Sequence, residues 1–342
     1  MEVSNGSVLA VLVLMLLLRM RGLGLVLGEP GHLSYDFYEQ SCPQLESIVK
    51  WEAARIFLEQ PEVPSAFLRL LFHDCQVQGC DASILLETSP NTTSEMGSHK
   101  NFGIRDREVL GKIKSTVEAE CPGTVSCADI LVLSAREAVA SSGGPTIRVP
   151  LGRRDALSTS GELADASLPP ATAPVEAMLR IFAEKGMTVE ESVAIMGAHT
   201  LGVAHCVSVE SSLGEGGVAQ APGRAAGFES ILRESCLGSG ADPGKTYLPN
   251  DFTLFSFDNQ YYRELVAGRG LLRVDVEIAA HPRTAALVRR YAVDLAGFFQ
   301  AFASAFELAA GDRRNPALAT TCRDCRFRPT IADLKKKRFI LT

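Results

Sequence analysis

Residues 69–83 read Arg-Leu-Leu-Phe-His-Asp-Cys-Gln-Val-Gln-Gly-Cys-Asp-Ala-Ser. Arg69 and His73 stand four apart, and Pro64 suits a first helical position, so the stretch PSAFLRLLFHD is predicted helical with guanidinium and imidazole on one face. A fixed cation beside a neutral base suits proton transfer with charge stabilisation. Directly after His73 come Asp74, Asp81 and Ser83, and Gly79 allows a tight turn between Cys75 and Cys80. Oxygen donors on so short a loop suit a hard cation. Each residue alone has a plainer reading: one histidine in an apolar helix is more often structural, and an Arg/His pair at this spacing arises by chance.

The 342 residues are 46% hydrophobic and 22% charged, enough core for one large domain or two modest ones. A formal charge of -6 argues against a nucleic-acid partner, which needs a basic face to neutralise phosphates. The basic run Lys335-Lys336-Lys337-Arg338 at the C-terminus reads as a solvated tail. Residues 1–30 read as a secretory signal peptide, with an apolar run from Val8 to Leu18, then Arg19 and Arg21, and cleavage expected near Gly28 to Gly31. The charge order is unusual, since Glu2 precedes the run and the arginines follow it. A signal anchor is the competing reading, weakened by an apolar core short for a bilayer, and no second run of membrane length follows.

Nine cysteines behind a leader indicate an oxidising compartment and a disulfide framework. Eight paired cysteines permit 105 connectivities, so the cysteines themselves choose none. Asn91-Thr92-Thr93 is an N-glycosylation sequon in a polar loop, consistent with secretion.

Along the chain, apolar residues at Leu45, Ile48, Val49, Ile56 and Phe57 mark a helix ended by Pro61. Helix returns over about 105–120. Ser126 with Asp129 caps the run ILVLSAREAVA, which Gly143-Gly144 closes. PTIRVPLGRRDA is expected extended or turn-like, and Thr188 with Glu191 caps VEESVAIMGAH after the helix VEAMLRIFAEK stops at Gly186. Between Cys206 and Cys236 the pattern is weak, predicting loops with one short helix near Phe228 to Glu234. DNQYYRELVAG and the long PRTAALVRRYAVDLAGFFQAFASAFELAAG read as further helices, so the chain is mainly α.

The string RLLFHDCQVQGCDAS closely resembles the distal segment of the secreted plant-type (class III) haem peroxidases, and MGAHTLGVAHC around His199 resembles their proximal segment. The resemblance runs from about Tyr35 to Cys322 and implies a haem peroxidase domain over 31–327, with 328–342 an atypical basic tail. It implies haem b sandwiched between distal and proximal helical halves stapled by disulfides. On the proximal side His199 would bind the iron, and Asp275, in FDNQYYRELVAGRGLLRVD, would accept from its second nitrogen. On the distal side His73 would be acid and base, Arg69 the charge stabiliser, and Asn101, linked to Glu95, the holder of His73; Phe72 adjoins them and His99 is a bystander.

The resemblance also implies four disulfides, Cys42–Cys121, Cys75–Cys80, Cys127–Cys322 and Cys206–Cys236, with Cys325 left over as a free thiol or a substitute for Cys322. By loop entropy the shortest is worth roughly 2 kcal/mol and the longest about 5 at most. Two Ca2+ sites are implied. One takes Asp74, Val77, Gly79, Asp81 and Ser83, the other Thr200, Asp251, Thr253, Ser256 and Asp258. NDFTLFSFD is shorter than the family pattern and has Leu where the family has Pro, so the second site is expected weakened or reshaped.

The implied reaction reduces hydrogen peroxide to water while oxidising small aromatic donors, phenols by analogy, in one-electron steps. Leu168-Pro169 would line the donor entrance, yet VSVESSLGEGG after Cys206 lacks the family's aromatics, which predicts a more open mouth and weak phenol binding. The implied enzyme is a monomer, secreted to the cell wall or apoplast, with the vacuole as another destination. Three rivals carry less: a haem-free wall or interaction protein keeping the fold, a transition-metal site at His73, Asp74, Cys75 and Cys80, and a peroxygenase or catalase-like haem enzyme, whose thiolate or tyrosinate ligand no residue here matches.

Overall fold

The computed structural model describes residues 33–90, 92–170, 172–213, 223–238, 240, 242–311 and 325. Within them the elements are, in order, helices α1 Leu45–Glu59, α2 Val63–Val77, α3 Arg107–Glu120, α4 Cys127–Ser141, α5 Gly161–Ser167, α6 Val175–Ala183, α7 Val189–Met196, α8 Cys206–Leu213, α9 Ala226–Leu237, α10 Gln260–Val266, α11 Arg273–Ala280, α12 Ala285–Val293 and α13 Leu295–Ala310. One two-stranded antiparallel ribbon pairs β1 Val203–His205 with β2 Tyr247–Pro249, setting His205 opposite Tyr247. The mainly α reading holds.

Helix α4 is the axle of the distal half. Thirteen of its residues, from Cys127 to Val139, are buried, most of them apolar, so the helix is enclosed by its neighbours. Ser126 Oγ accepts the Asp129 N–H at 3.1 Å and starts it. Helices α1, α2 and α3 pack around it. Its fully buried Asp129 is met by Arg153 at 2.8 Å and by the Tyr38 hydroxyl at 2.8 Å, while Arg153 Nε donates to Ala310 O at the end of α13. That network ties the extended segment after α4 to the last helix.

The proximal half is built on α7, α10, α12 and α13. Phe257, Tyr262, Tyr291, Phe298 and Phe302 interlock there at centroid distances of 4.7–5.9 Å. The Thr188–Glu191 capping box starts α7 in both directions.

Three sequence expectations need correction. The long C-terminal helix is two, because Asp294 leaves helical geometry and its Oδ1 accepts the Gly297 N–H at 2.8 Å, ending α12 and capping α13. Between Cys206 and Cys236 there are two helices, not one: α8 and α9 bury Val209, Leu213 and Leu232 in a small cluster of their own, too few apolar residues to give a clear period. The third concerns the disulfides. Cys42–Cys121, Cys75–Cys80 and Cys206–Cys236 form as implied, but Cys127 pairs with Cys325 rather than Cys322. Three residues change loop entropy negligibly, so only which thiol meets the buried Cys127 decides. Cys322, Asn91, the leader and the tail lie outside the described residues. No helix among the described residues is long and apolar enough to cross a membrane.

Candidate active site

The Arg69–His73 pair is delivered by α2, whose buried face packs on α4. Arg69 Nε donates to His73 Nε2 at 3.2 Å, and its Nη2 donates to Phe102 O at 2.9 Å. His73 Nδ1 meets Asn101 Oδ1 at 2.6 Å. Because Nε2 is already accepting, Nδ1 carries the proton and Asn101 fixes that tautomer. Burial and the Arg69 charge push the imidazole down to about 3, against a small upward pull from Asn101. Burial, then Arg105, also lowers Arg69, to about 10, so it remains a cation at neutral pH. Phe72 meets the His73 ring edge-on at 5.6 Å.

Asn101 Nδ2 donates to Glu95 at 2.7 Å, but to its main-chain oxygen. The Glu95 side chain turns instead to the loop beyond α2. Asp74 accepts the N–H groups of Ala82 (2.9 Å) and Ile84 (3.4 Å), and Asp81 accepts that of Ser83 (3.1 Å). Ala82 is held at φ 58, a strained value for a residue with a Cβ. Ser83 Oγ and both Glu95 carboxylate oxygens are buried with no partner in hydrogen-bond geometry. Burial, then Asp81 and Glu95, raises Asp74 well above the carboxylate range. Burial pushes Glu95 up to about 7; the Ser83 and Thr159 hydroxyls lie close enough to draw it down in part, though not in good hydrogen-bond geometry, and Asp81 adds to the rise. Crowded buried carboxylates beside an orphaned hydroxyl lack a positive charge, which fits a hard cation. Among the described residues no three His, Cys, Asp or Glu side chains converge as a metal site, so such a cation would also need main-chain oxygens such as those of Val77 and Gly79.

His199 sits on a 3-10 turn, Gly197–Thr200, that tightens the end of α7. Tyr262 sets this turn, donating to the last carbonyls of the helix, Val193 O at 2.9 Å and Ala194 O at 3.1 Å. A Cβ on Gly197 would lie 2.4 Å from the Phe298 ring and 2.6 Å from the Tyr262 hydroxyl, so only glycine admits this approach. His199 Nδ1 meets Asp275 Oδ1 at 3.0 Å, which leaves Nε2 as the nitrogen available to a metal. Burial lowers the basicity of His199, yet the charge and hydrogen bond of Asp275 outweigh it, so the net shift is upward. Asp275 Oδ2 accepts the Leu272 N–H at 3.3 Å, which anchors the carboxylate at the start of α11. The residue expected at 275 is therefore on a helix that the sequence did not reveal.

The proximal loop gathers four of its five expected residues. Thr200 Oγ1 donates to Asp251 at 2.7 Å and lies 3.3 Å from Asp258, and Thr253 Oγ1 bridges the same two carboxylates at 3.1 and 3.2 Å. Ser256 is exposed and contributes its N–H to Thr253 O.

One cavity of about 480 Å³ is lined by Arg69, Phe72 and His73 from one half and by His199 from the other, with Pro169 also among its lining residues. Sequence reasoning missed three of its neighbours. Phe102, 43% exposed, lines the cavity although a less aromatic mouth was expected, His205 packs on Gly103 beside Arg69, and Tyr261 reaches Asp275. None has a local signature, since each is placed by partners distant in sequence.

A helical protein with one imidazole on each side of a buried slot, one tied to a carboxylate and one beside an arginine, has the construction of a haem enzyme that handles peroxide. Comparison with known proteins agrees. The family profile described as Peroxidase matches residues 49–294. Peroxidase 29 of Arabidopsis thaliana is 51% identical over 279 residues, covering 80% of this chain and 82% of the relative. Peroxidase 28 and Peroxidase 44 of the same plant are each 39% identical, with 80% of this chain and 85% of the relative covered. The chain belongs to the peroxidase family, and it is a haem peroxidase; membership implies haem, hydrogen peroxide and a donor substrate.

Proposed function

We propose that His73 is the acid and base of this peroxidase, Arg69 its charge stabiliser, Asn101 the residue that orients His73, and His199 the iron ligand, with Asp275 behind it. The observation that carries this reading is that the Arg69–His73 pair and the Asp275-anchored His199 line the same cavity. Haem held by His199 Nε2 would supply the electrons for cleavage of the peroxide O–O bond and recover them from the donor.

The chain's own residues divide the proton work. Peroxide entering the slot replaces Arg69 Nε as the partner of His73 Nε2, and the neutral imidazole accepts a proton from the nearer peroxide oxygen. An imidazolium there is buried and faces Arg69, the same conditions that hold His73 down to about 3, so the proton passes on to the departing oxygen, which leaves as water. Asn101 keeps Nδ1 protonated throughout. Arg69 offers its guanidinium to the negative charge that grows on the departing oxygen. Donors reach the cavity past Pro169, and small phenols by analogy with the family are the expected class.

Calcium belongs to this reading in the loop of Asp74, Val77, Gly79, Asp81 and Ser83, where the orphaned hydroxyl and raised carboxylates fit it. In the proximal loop Thr200, Asp251, Thr253 and Asp258 already satisfy one another, which supports a weaker site. A secreted, monomeric enzyme with residues 1–30 removed, of the plant class III type, completes the proposal; the four disulfides support an oxidising compartment. The test is peroxide-dependent oxidation of a phenolic dye by wild type and His73→Ala, with the Soret band recorded for both. Loss of turnover with retained haem is expected, and a wild type that never acquires a Soret band would overturn the reading.

A further inference from the structure

We infer that Tyr261 is a positioning residue for His199, acting as a second hydrogen-bond donor on the single carboxylate oxygen that His199 uses. The inference rests on the reading of His199 as the iron ligand. Asp275 Oδ1 takes both bonds: from His199 Nδ1 at 3.0 Å and from the Tyr261 hydroxyl at 2.7 Å. The phenol is the shorter of the two. Its ring stands edge-on to the His199 ring at a centroid distance of 5.7 Å, so it fixes the imidazole sterically as well as through the carboxylate.

The electronic consequence follows from sharing. A carboxylate oxygen that gives density to a phenol O–H has less to give to an imidazole N–H, so His199 becomes less imidazolate-like than a carboxylate with one partner would make it. A less electron-rich ligand stabilises ferric iron less, which raises the ferric/ferrous potential. Asp275 alone pushes that potential down, and Tyr261 limits how far. The phenol is well placed to stay a donor: it is buried, and burial together with the Asp275 charge holds its proton far above the ordinary tyrosine range. Two further groups bear on the carboxylate. The Leu272 N–H takes the opposite oxygen, and the Arg224 guanidinium, bonded to Leu271 O at 3.0 Å, is near enough to feel the Asp275 charge. Neither shares Oδ1 with His199.

A buried tyrosine also needs a partner merely to be satisfied, so the test must read the iron rather than stability. Tyr261→Phe keeps the ring and its edge contacts while removing the donor. In the haem-loaded protein, potentiometric titration should give a more negative ferric/ferrous midpoint for Tyr261→Phe, and resonance Raman of the ferrous form should show the iron–histidine stretch at higher frequency. Asp275→Asn should move both readouts the opposite way, and adding Tyr261→Phe to Asp275→Asn should produce no further shift. Should Tyr261→Phe fail to fold, 3-fluorotyrosine placed at 261 strengthens the donor and should raise the midpoint. Unmoved midpoint and stretch in either variant, beside a normal wild-type iron–histidine band, would overturn this inference alone. Absence of that band in the wild type removes the axial-ligand reading and this inference with it.

Discussion

Arg69 and His73 touch across a single turn of α2, Nε to Nε2 at 3.2 Å, so the cation and the base are coupled before any substrate arrives. The coupling explains why His73 is kept neutral: its burial and the adjacent guanidinium both oppose a second proton.

The first prediction concerns that pair. His73→Ala should slow the reaction with peroxide by about 10² to 10⁴-fold, the usual worth of positioned acid–base help, with haem content unchanged. Stopped-flow decay of the Soret band under excess peroxide measures it. Asn101→Ala should give a smaller loss, because it removes the bond that orients His73 and draws it upward while leaving the imidazole in place.

Acid should act on the same residue. The folded His73 sits at about 3 against an ordinary 6.5, so between those values the unfolded chain binds the extra proton and stability falls as pH is lowered through that window. The rate of the peroxide reaction should therefore hold from neutral pH into the acid range and decline with an apparent pKa well below 6.5. A decline centred near 6.5 would contradict the buried, Arg69-facing setting.

The buried carboxylates beyond α2 give the opposite sign. In the metal-free protein, Glu95 at about 7 against an ordinary 4.5 means the folded state holds the extra proton, so stability falls as pH rises through that window, and the raised Asp74 adds in the same direction. Chelator-treated protein should lose melting temperature from pH 4.5 to 7, and added Ca2+ should restore more of it at pH 8 than at pH 5. Scanning calorimetry with and without chelator checks this.

The disulfide partner of Cys127 is directly testable. Non-reducing peptide mapping should recover Cys127 joined to Cys325, with Cys322 open to alkylation. Cys325→Ser should cost up to about 5 kcal/mol by loop entropy, whereas Cys322→Ser should be close to neutral.

Much of the site could be read from the chain because its chemistry is written in short local strings. Arg69 and His73 share a helix face by spacing alone, and the loop from Asp74 to Ser83 is contiguous, so composition and period placed them without tertiary information. His199 and Asp275, Asn101 and Glu95 came from the family resemblance, and the structure brings each pair together.

Only the tertiary structure decided the rest, and for one physical reason: those relations are set by packing between residues far apart in the chain. Asp275 carries two donors on one oxygen because α10 lays Tyr261 against it, Glu95 turns its carboxylate to the loop beyond α2 while its carbonyl serves Asn101, and Cys325 rather than Cys322 reaches the buried Cys127. By itself the sequence determined a helical chain with its cysteines, an Arg69–His73 pair on one helix face and a second histidine at 199; folding alone brought all three to one cavity.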